Sequence, residues 1–125
     1  METNVKEISI NGVDYVRKDS VQSGEMAKNT DGLPYVILRT YSAGVFAGYL
    51  VSREGKEAKL YNSRRLWYWD GAASLSQLGQ EGTKKPENCK FPCELTEQDL
   101  TEVIEVIYCT EKARLSIASV KVWQQ

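Results

Sequence analysis

The residues best equipped for chemistry stand together in Asn62-Ser63-Arg64-Arg65-Leu66-Trp67-Tyr68-Trp69-Asp70-Gly71. Two adjacent guanidiniums, whose forked donors match phosphate or carboxylate, run into three consecutive aromatic rings, each a face on which a base can stack for about 1–3 kcal/mol. The competing expectation is that Leu66, Trp67 and Trp69 fill a core while both arginines stay in water, because large aromatics are more often structural. Groups of the same kind recur along the chain. Arg39 precedes Tyr41, Ser42, Ala43 and Gly44, a turn whose backbone N–H groups suit an anion held by an arginine. Asn88 offers a donor and an acceptor to a purine edge, with Phe91 close by as a stacking face. Lys112 and Arg114 fall near the start of an expected helix, where the dipole favours negative charge. Arg39, Tyr41, Ser42, Arg64, Arg65, Trp69, Asn88, Phe91, Lys112 and Arg114 are therefore the candidate ligand-binding residues.

Catalysis is harder to assemble from this chain than binding. It contains no histidine, so acyl-transfer triads of the usual kind lack their base. No glycine-rich loop ends in Lys-Ser or Lys-Thr, as phosphate-cradling hydrolases require. Glu102 and Glu105 read as the wet face of a strand, and Glu97 and Asp99 as surface charges between elements. Cys89, Cys93 and Cys109 are odd in number, which points to reduced thiols rather than a secreted disulfide scaffold. The Cys89 and Cys93 spacing is one residue longer than a zinc knuckle prefers. The expectation is a binding protein with no catalytic residues, metal or cofactor.

Charge narrows the partner. The chain has 125 residues with 16 basic against 17 acidic side chains, a net charge of −1, whereas proteins that coat polyanions carry a basic excess. Phosphate is then expected in a small molecule rather than in nucleic acid. No apolar run approaches the roughly 20 residues of a membrane span, and the start Met1-Glu2-Thr3-Asn4-Val5 has no signal-peptide character. A cytoplasmic protein is expected.

The elements that must position these side chains form an α+β domain, an antiparallel sheet of about five strands with two short helices. Residues 6–18 read as a hairpin around Asn11-Gly12, and Asp19 to Gly32 as a polar linker. The chain thus divides into an appendage over 1–32 and a ligand-binding domain over 33–125. Strands are expected at 35–41, 45–51, 57–61 and 101–109, with Lys121-Val122-Trp123 as a closing edge. Gly48 within the second strand predicts a bulge or a close backbone approach. A helix over 72–80 is expected with Asp70 as N-cap and Gly82 as stop. A second begins at Thr110 and turns Ala113, Ile117 and Val120 inward. The loop between Gly82 and Cys93 is long enough to be functional.

Leu38-Arg39-Thr40-Tyr41-Ser42-Ala43-Gly44-Val45, the run from Asn62 to Ser76, Lys85-Pro86-Glu87-Asn88-Cys89-Lys90-Phe91 and Cys109-Thr110-Glu111-Lys112-Ala113 together resemble a group of small phage and prophage proteins associated with the first type of Thoeris anti-defence protein. The resemblance covers roughly residues 35–123. It implies a homo-oligomer, a dimer or an assembly of dimers, that captures cyclic ADP-ribose isomers made by bacterial TIR-domain immune enzymes. Such a sponge holds the signal in recessed pockets at a subunit interface without cleaving it, and some members hold cyclic oligonucleotides in separate sites. The resemblance assigns no individual contacts, so the candidate residues rest on their chemistry. The alternative expectation is a small phage accessory protein whose arginines and aromatics contact single-stranded nucleic acid.

Overall fold

The computed structural model describes residues 25–124. Five strands and two helices follow in the order β1 (Tyr35–Thr40), β2 (Val45–Glu54), β3 (Glu57–Arg65), α1 (Leu75–Glu81), a 3₁₀ turn (Pro86–Asn88), β4 (Glu94–Leu100), β5 (Val103–Tyr108) and α2 (Glu111–Ser119). The strands form one antiparallel sheet in the order β4-β3-β2-β1-β5, as the sequence predicts for the fold class.

Strand alternation sorts the apolar side chains onto two faces. Tyr35, Ile37 and Ala47 lie on the helix side, where they meet Leu78 of α1 and Ala113 and Ile117 of α2. Val36, Leu38, Phe46, Leu60, Leu100 and Val103 form a second buried cluster on the other side. The sheet covers that second face by curling on itself. Its edge strands β4 and β5 are joined by only Thr101 and Glu102, so one end of each edge is drawn to the same corner. There Val103 N–H donates to Lys56 O and Tyr41 N–H to Glu102 O.

The curl has a local cause in the long β2–β3 ribbon, whose pairing shifts register twice, between Ala47 and Tyr49 and between Leu50 and Ser52. Asn62, at φ 53°, is the non-glycine residue in the left-handed region among the described residues, as the extra residue of a bulge can be. Gly48 lies opposite it. A Cβ there would come 3.0 Å from Ser63 Cα and 3.1 Å from Tyr61 O, so the close approach predicted from this glycine is present. Because Asn62 resets the alternation, Arg64 pairs with Ala47 on the helix face and Arg65 with Phe46 on the other.

Several boundaries differ from the sequence reading. The first helix begins at Leu75 with Ser74 as N-cap, its Oγ accepting from Gln77 N–H, rather than at 72 with Asp70 as cap. Gly71 holds φ 85°, which turns the chain once more before a helix can start. Gly82 ends that helix at φ 80°, and Thr110 caps α2 by accepting from Ala113 N–H. The expected strand over 101–109 is β5 alone. Glu97 and Asp99, expected between elements, belong to β4, where both bond Lys59. Lys121-Val122-Trp123 contributes a single parallel bridge, Phe91 with Val122. The hairpin over 6–18 lies outside the described residues. Of the expected linker, residues 25–32 are anchored to the domain: Ala27 is buried and exchanges backbone hydrogen bonds with Cys109 and Tyr35. No helix of the described residues is long and apolar enough to cross a membrane.

Candidate functional site

Arg64 is the most constrained charged group of the domain. It is 7% exposed, and its guanidinium donates to four backbone carbonyls: Nε to Pro92 O at 3.0 Å, Nη1 to Ile117 O at 3.0 Å, and Nη2 to Phe91 O at 3.1 Å and Val120 O at 2.7 Å. Two of those carbonyls close the C-terminal end of α2, where the helix dipole favours a cation. The guanidinium also lies 5.5 Å from the centre of the Phe91 ring. Burial pulls the Arg64 pKa below its ordinary value, opposed by the neighbouring Tyr35 and Glu94. Of five N–H donors, four are spent among the described residues, leaving one on Nη1.

Arg64 also borders a recess of about 260 Å³ between β1, β2, the start of β4 and α2, lined by Tyr35, Tyr49, Glu94, Arg114 and Val120 as well. Tyr35 and Tyr49 face each other across β1 and β2, edge to face with ring centres 5.0 Å apart. Burial, first of all, raises the Tyr35 phenol above its usual range, with Cys109, Tyr49 and Glu94 adding to the effect. Arg114 is clamped by Glu111 one turn earlier, Nε to Oε1 at 3.0 Å and Nη2 to Oε2 at 2.6 Å. The Glu111 hydrogen bonds, with a smaller contribution from Tyr49, hold the Arg114 guanidinium above its ordinary pKa. Among the described residues this clamp uses two of its five donors and leaves three.

The recess gathers two of the candidate residues, Arg64 and Arg114. The others are elsewhere. Arg39 lies four residues beyond Tyr35 on β1, about 13 Å along the strand, and pairs with Glu105 at 2.9 Å. Ser42 donates to Glu102, and Tyr41 is 79% exposed. Arg65, on the opposite sheet face from Arg64, donates from Nη1 to Ala43 O at 2.5 Å and covers the Phe46 ring at 4.5 Å. Asn88 donates to Asp70 at 3.0 Å, an exposed contact that, ahead of the Gly71 N–H, lowers the Asp70 pKa. Phe91 is fully buried beneath Arg64, so its expected role as a stacking face gives way to a core role. Trp69 packs against the helix-side core, as does buried Leu66, whereas Trp67 is 62% exposed. Lys112 is exposed and lines a separate, wider hollow with Glu81, Glu111 and Leu115.

Tyr35, Tyr49 and Glu94 escaped the sequence reading. The strands of Tyr35 and Tyr49 are predicted but that of Glu94 is not, and their proximity depends on pairings across 14 residues for Tyr35 with Tyr49 and 30 for Arg64 with Glu94, which residue type does not reveal.

The fold and the recess define a small α+β domain with a cation-lined hollow at the junction of its curled sheet and last helix. The chain belongs to the family described as a domain of unknown function (DUF6948), whose model matches residues 33–117. No curated protein and no solved structure matches it.

Proposed function

We propose that this protein is a phage anti-defence protein of the infected host's cytoplasm. It binds a small cyclic nucleotide signal, of the glycocyclic ADP-ribose kind, and withholds it without cleaving it. The observation that carries the reading is the convergence of Arg64 and Arg114 on one recess with the Tyr35 and Tyr49 rings in its wall. A ligand with a diphosphate and a flat base calls for that combination of fixed cations and aromatic surface.

The hollow, about 260 Å³, is smaller than pockets that enclose a drug-sized ligand, roughly 300–1,000 Å³. Part of the nucleotide therefore extends past the rim, where a second copy of the chain completes the enclosure. Effective sequestration needs nanomolar affinity, about −12 kcal/mol. Charge-assisted hydrogen bonds of roughly 1.5–3 kcal/mol each reach it only from a preformed site. The clamps on Arg64 and Arg114 supply that preformation.

Native mass spectrometry with cyclic dinucleotides, cyclic trinucleotides and cyclic ADP-ribose isomers tests the reading. The expected result is a stoichiometric complex of an oligomer with one ligand class, recovered intact after heat denaturation. No complex, or a chemically altered ligand, overturns it.

A second reading, contact with single-stranded nucleic acid, is favoured by one surface feature. Trp67 and Tyr68 are exposed, and Lys90 Nζ lies 5.8 Å from the Tyr68 ring and 5.7 Å from that of Trp123. Affinity for an oligonucleotide that collapses with added salt distinguishes it from the recess.

A further inference from the structure

The recess contains a group that a plain phosphate site does not need. Glu94 opens β4 directly opposite Arg64 in the β3–β4 register, and both border the hollow. Such cross-strand neighbours ordinarily form an ion pair. Here the Arg64 guanidinium is spent on carbonyls instead, and among the described residues no salt bridge reaches Glu94. Among the described residues the side-chain hydrogen bond it accepts is from Asn62 Nδ2, at a long 3.4 Å from Oε1. The carboxylate is thus left with acceptor capacity at the rim, and its field is felt inside, where it raises the Tyr35 phenol.

A carboxylate facing bound phosphate is repulsive, so for an inorganic anion Glu94 is only a cost. For a ligand that carries hydroxyl donors a few bonds from its phosphates, it is complementary: two carboxylate oxygens accept from a ribose diol, as acidic residues do in dinucleotide sites. Resting on the proposed nucleotide reading, we infer that Glu94 is the specificity-determining residue of this recess and restricts its ligand to phosphorylated ribosides that keep free ribose hydroxyls. Arg64 and Arg114 hold the diphosphate while Glu94 reads the sugar.

Titration calorimetry of the full chain with ADP-ribose and with inorganic pyrophosphate tests the assignment. Wild type binds ADP-ribose at least tenfold more tightly than pyrophosphate. Glu94→Ala lowers the ADP-ribose affinity about tenfold and leaves pyrophosphate unchanged or tighter, and Glu94→Gln, which keeps one acceptor, falls between. Glu94 is exposed at a strand end, so all variants keep the wild-type melting temperature. Equal tightening of both ligands in Glu94→Ala makes the carboxylate merely repulsive and overturns the inference, as does an unchanged ADP-ribose affinity. If either result comes with cyclic ADP-ribose isomers still bound by wild type, the nucleotide reading survives alone. No nucleotide binding of any kind by wild type overturns both.

Discussion

The two arginines of the recess have opposite kinds of fixation, and their substitutions separate accordingly. Arg64→Ala removes donors from three buried carbonyls and from the half-buried Pro92 carbonyl, and opens a gap beside Phe91. Unpaired buried polar groups cost about 1–3 kcal/mol each when water cannot reach them. The expected loss is about 3 kcal/mol or more, read as a melting temperature lower by at least about 10 °C. Among the described residues Arg114→Ala breaks chiefly the pair with Glu111, whose side chains are 25% and 36% exposed for Arg114 and Glu111, worth at most about 1 kcal/mol. Its melting point stays within a few degrees, while nucleotide affinity falls tenfold or more. Reversal of the two outcomes, measured by thermal unfolding and calorimetry, removes Arg114 from the site. At this scale residue type singles out both arginines as candidates, but says nothing of what holds each one in place. The sequence reading treats Arg64 and Arg65 as one unit, yet strand alternation sends them to opposite faces, and only the partners across the sheet decide which guanidinium meets a helix end and which meets Phe46.

Among the elements, the polar connections on either side of α1, residues 70–74 and 82–89, are tied to each other. Thr83 Oγ1 donates to Asp70 O, Lys84 N–H donates to Gly71 O, and the Cys89 thiol lies 3.6 Å from both Asp70 O and Lys85 O. Gly71 is the tightest point: at φ 85°, a Cβ would sit 2.4 Å from Lys85 N and 2.7 Å from Lys84 N, both backbone atoms with nowhere to go. Gly71→Ala therefore costs about 2 kcal/mol or more, combining left-handed strain with the clash. Gly55→Ala, at φ 60° with nothing within 4 Å, pays the conformational part alone, about 1 kcal/mol. Urea unfolding midpoints of the two variants compare them directly, and equal losses deny the two connections their tie. The same connections explain the misplaced helix start. Asp70-Gly71 and Ser74 are both plausible caps by residue type, and the choice was made by contacts from residues 83–89, distant in sequence. β4 was invisible for a related reason: Glu94-Leu95-Thr96-Glu97-Gln98-Asp99-Leu100 has too few apolar residues to signal a strand, and it is held by the β3 ladder and by Lys59.

For the molecule as a whole, composition and alternation sufficed for the fold class, whereas the curl that gives it two cores arises from bulges and a two-residue link whose effect is non-local. The junction of those layers carries its pH response. Cys109 is fully buried under α2, and burial pushes its thiol from 9.0 up to about 12. Tyr35 beside it is raised as well. Both groups are neutral when folded, and both have folded pKa values above their unfolded ones. Each thus contributes stability that is complete below its unfolded pKa and is lost as pH rises beyond it. The urea midpoint should be level from about pH 7 to 9 with respect to these groups, then fall between pH 9 and 12, first through Cys109 and then through Tyr35. In Cys109→Ala the early part of that fall, between pH 9 and 10, flattens, whatever the variant's stability at neutral pH. The same burial predicts thiol reactivity at pH 7.5: a disulfide reagent modifies exposed Cys93 at once, while buried Cys89 and Cys109 react at the rate of unfolding. Prompt modification of all three, or a Cys109→Ala profile parallel to wild type through pH 10, would mean that the core beneath the last helix admits water.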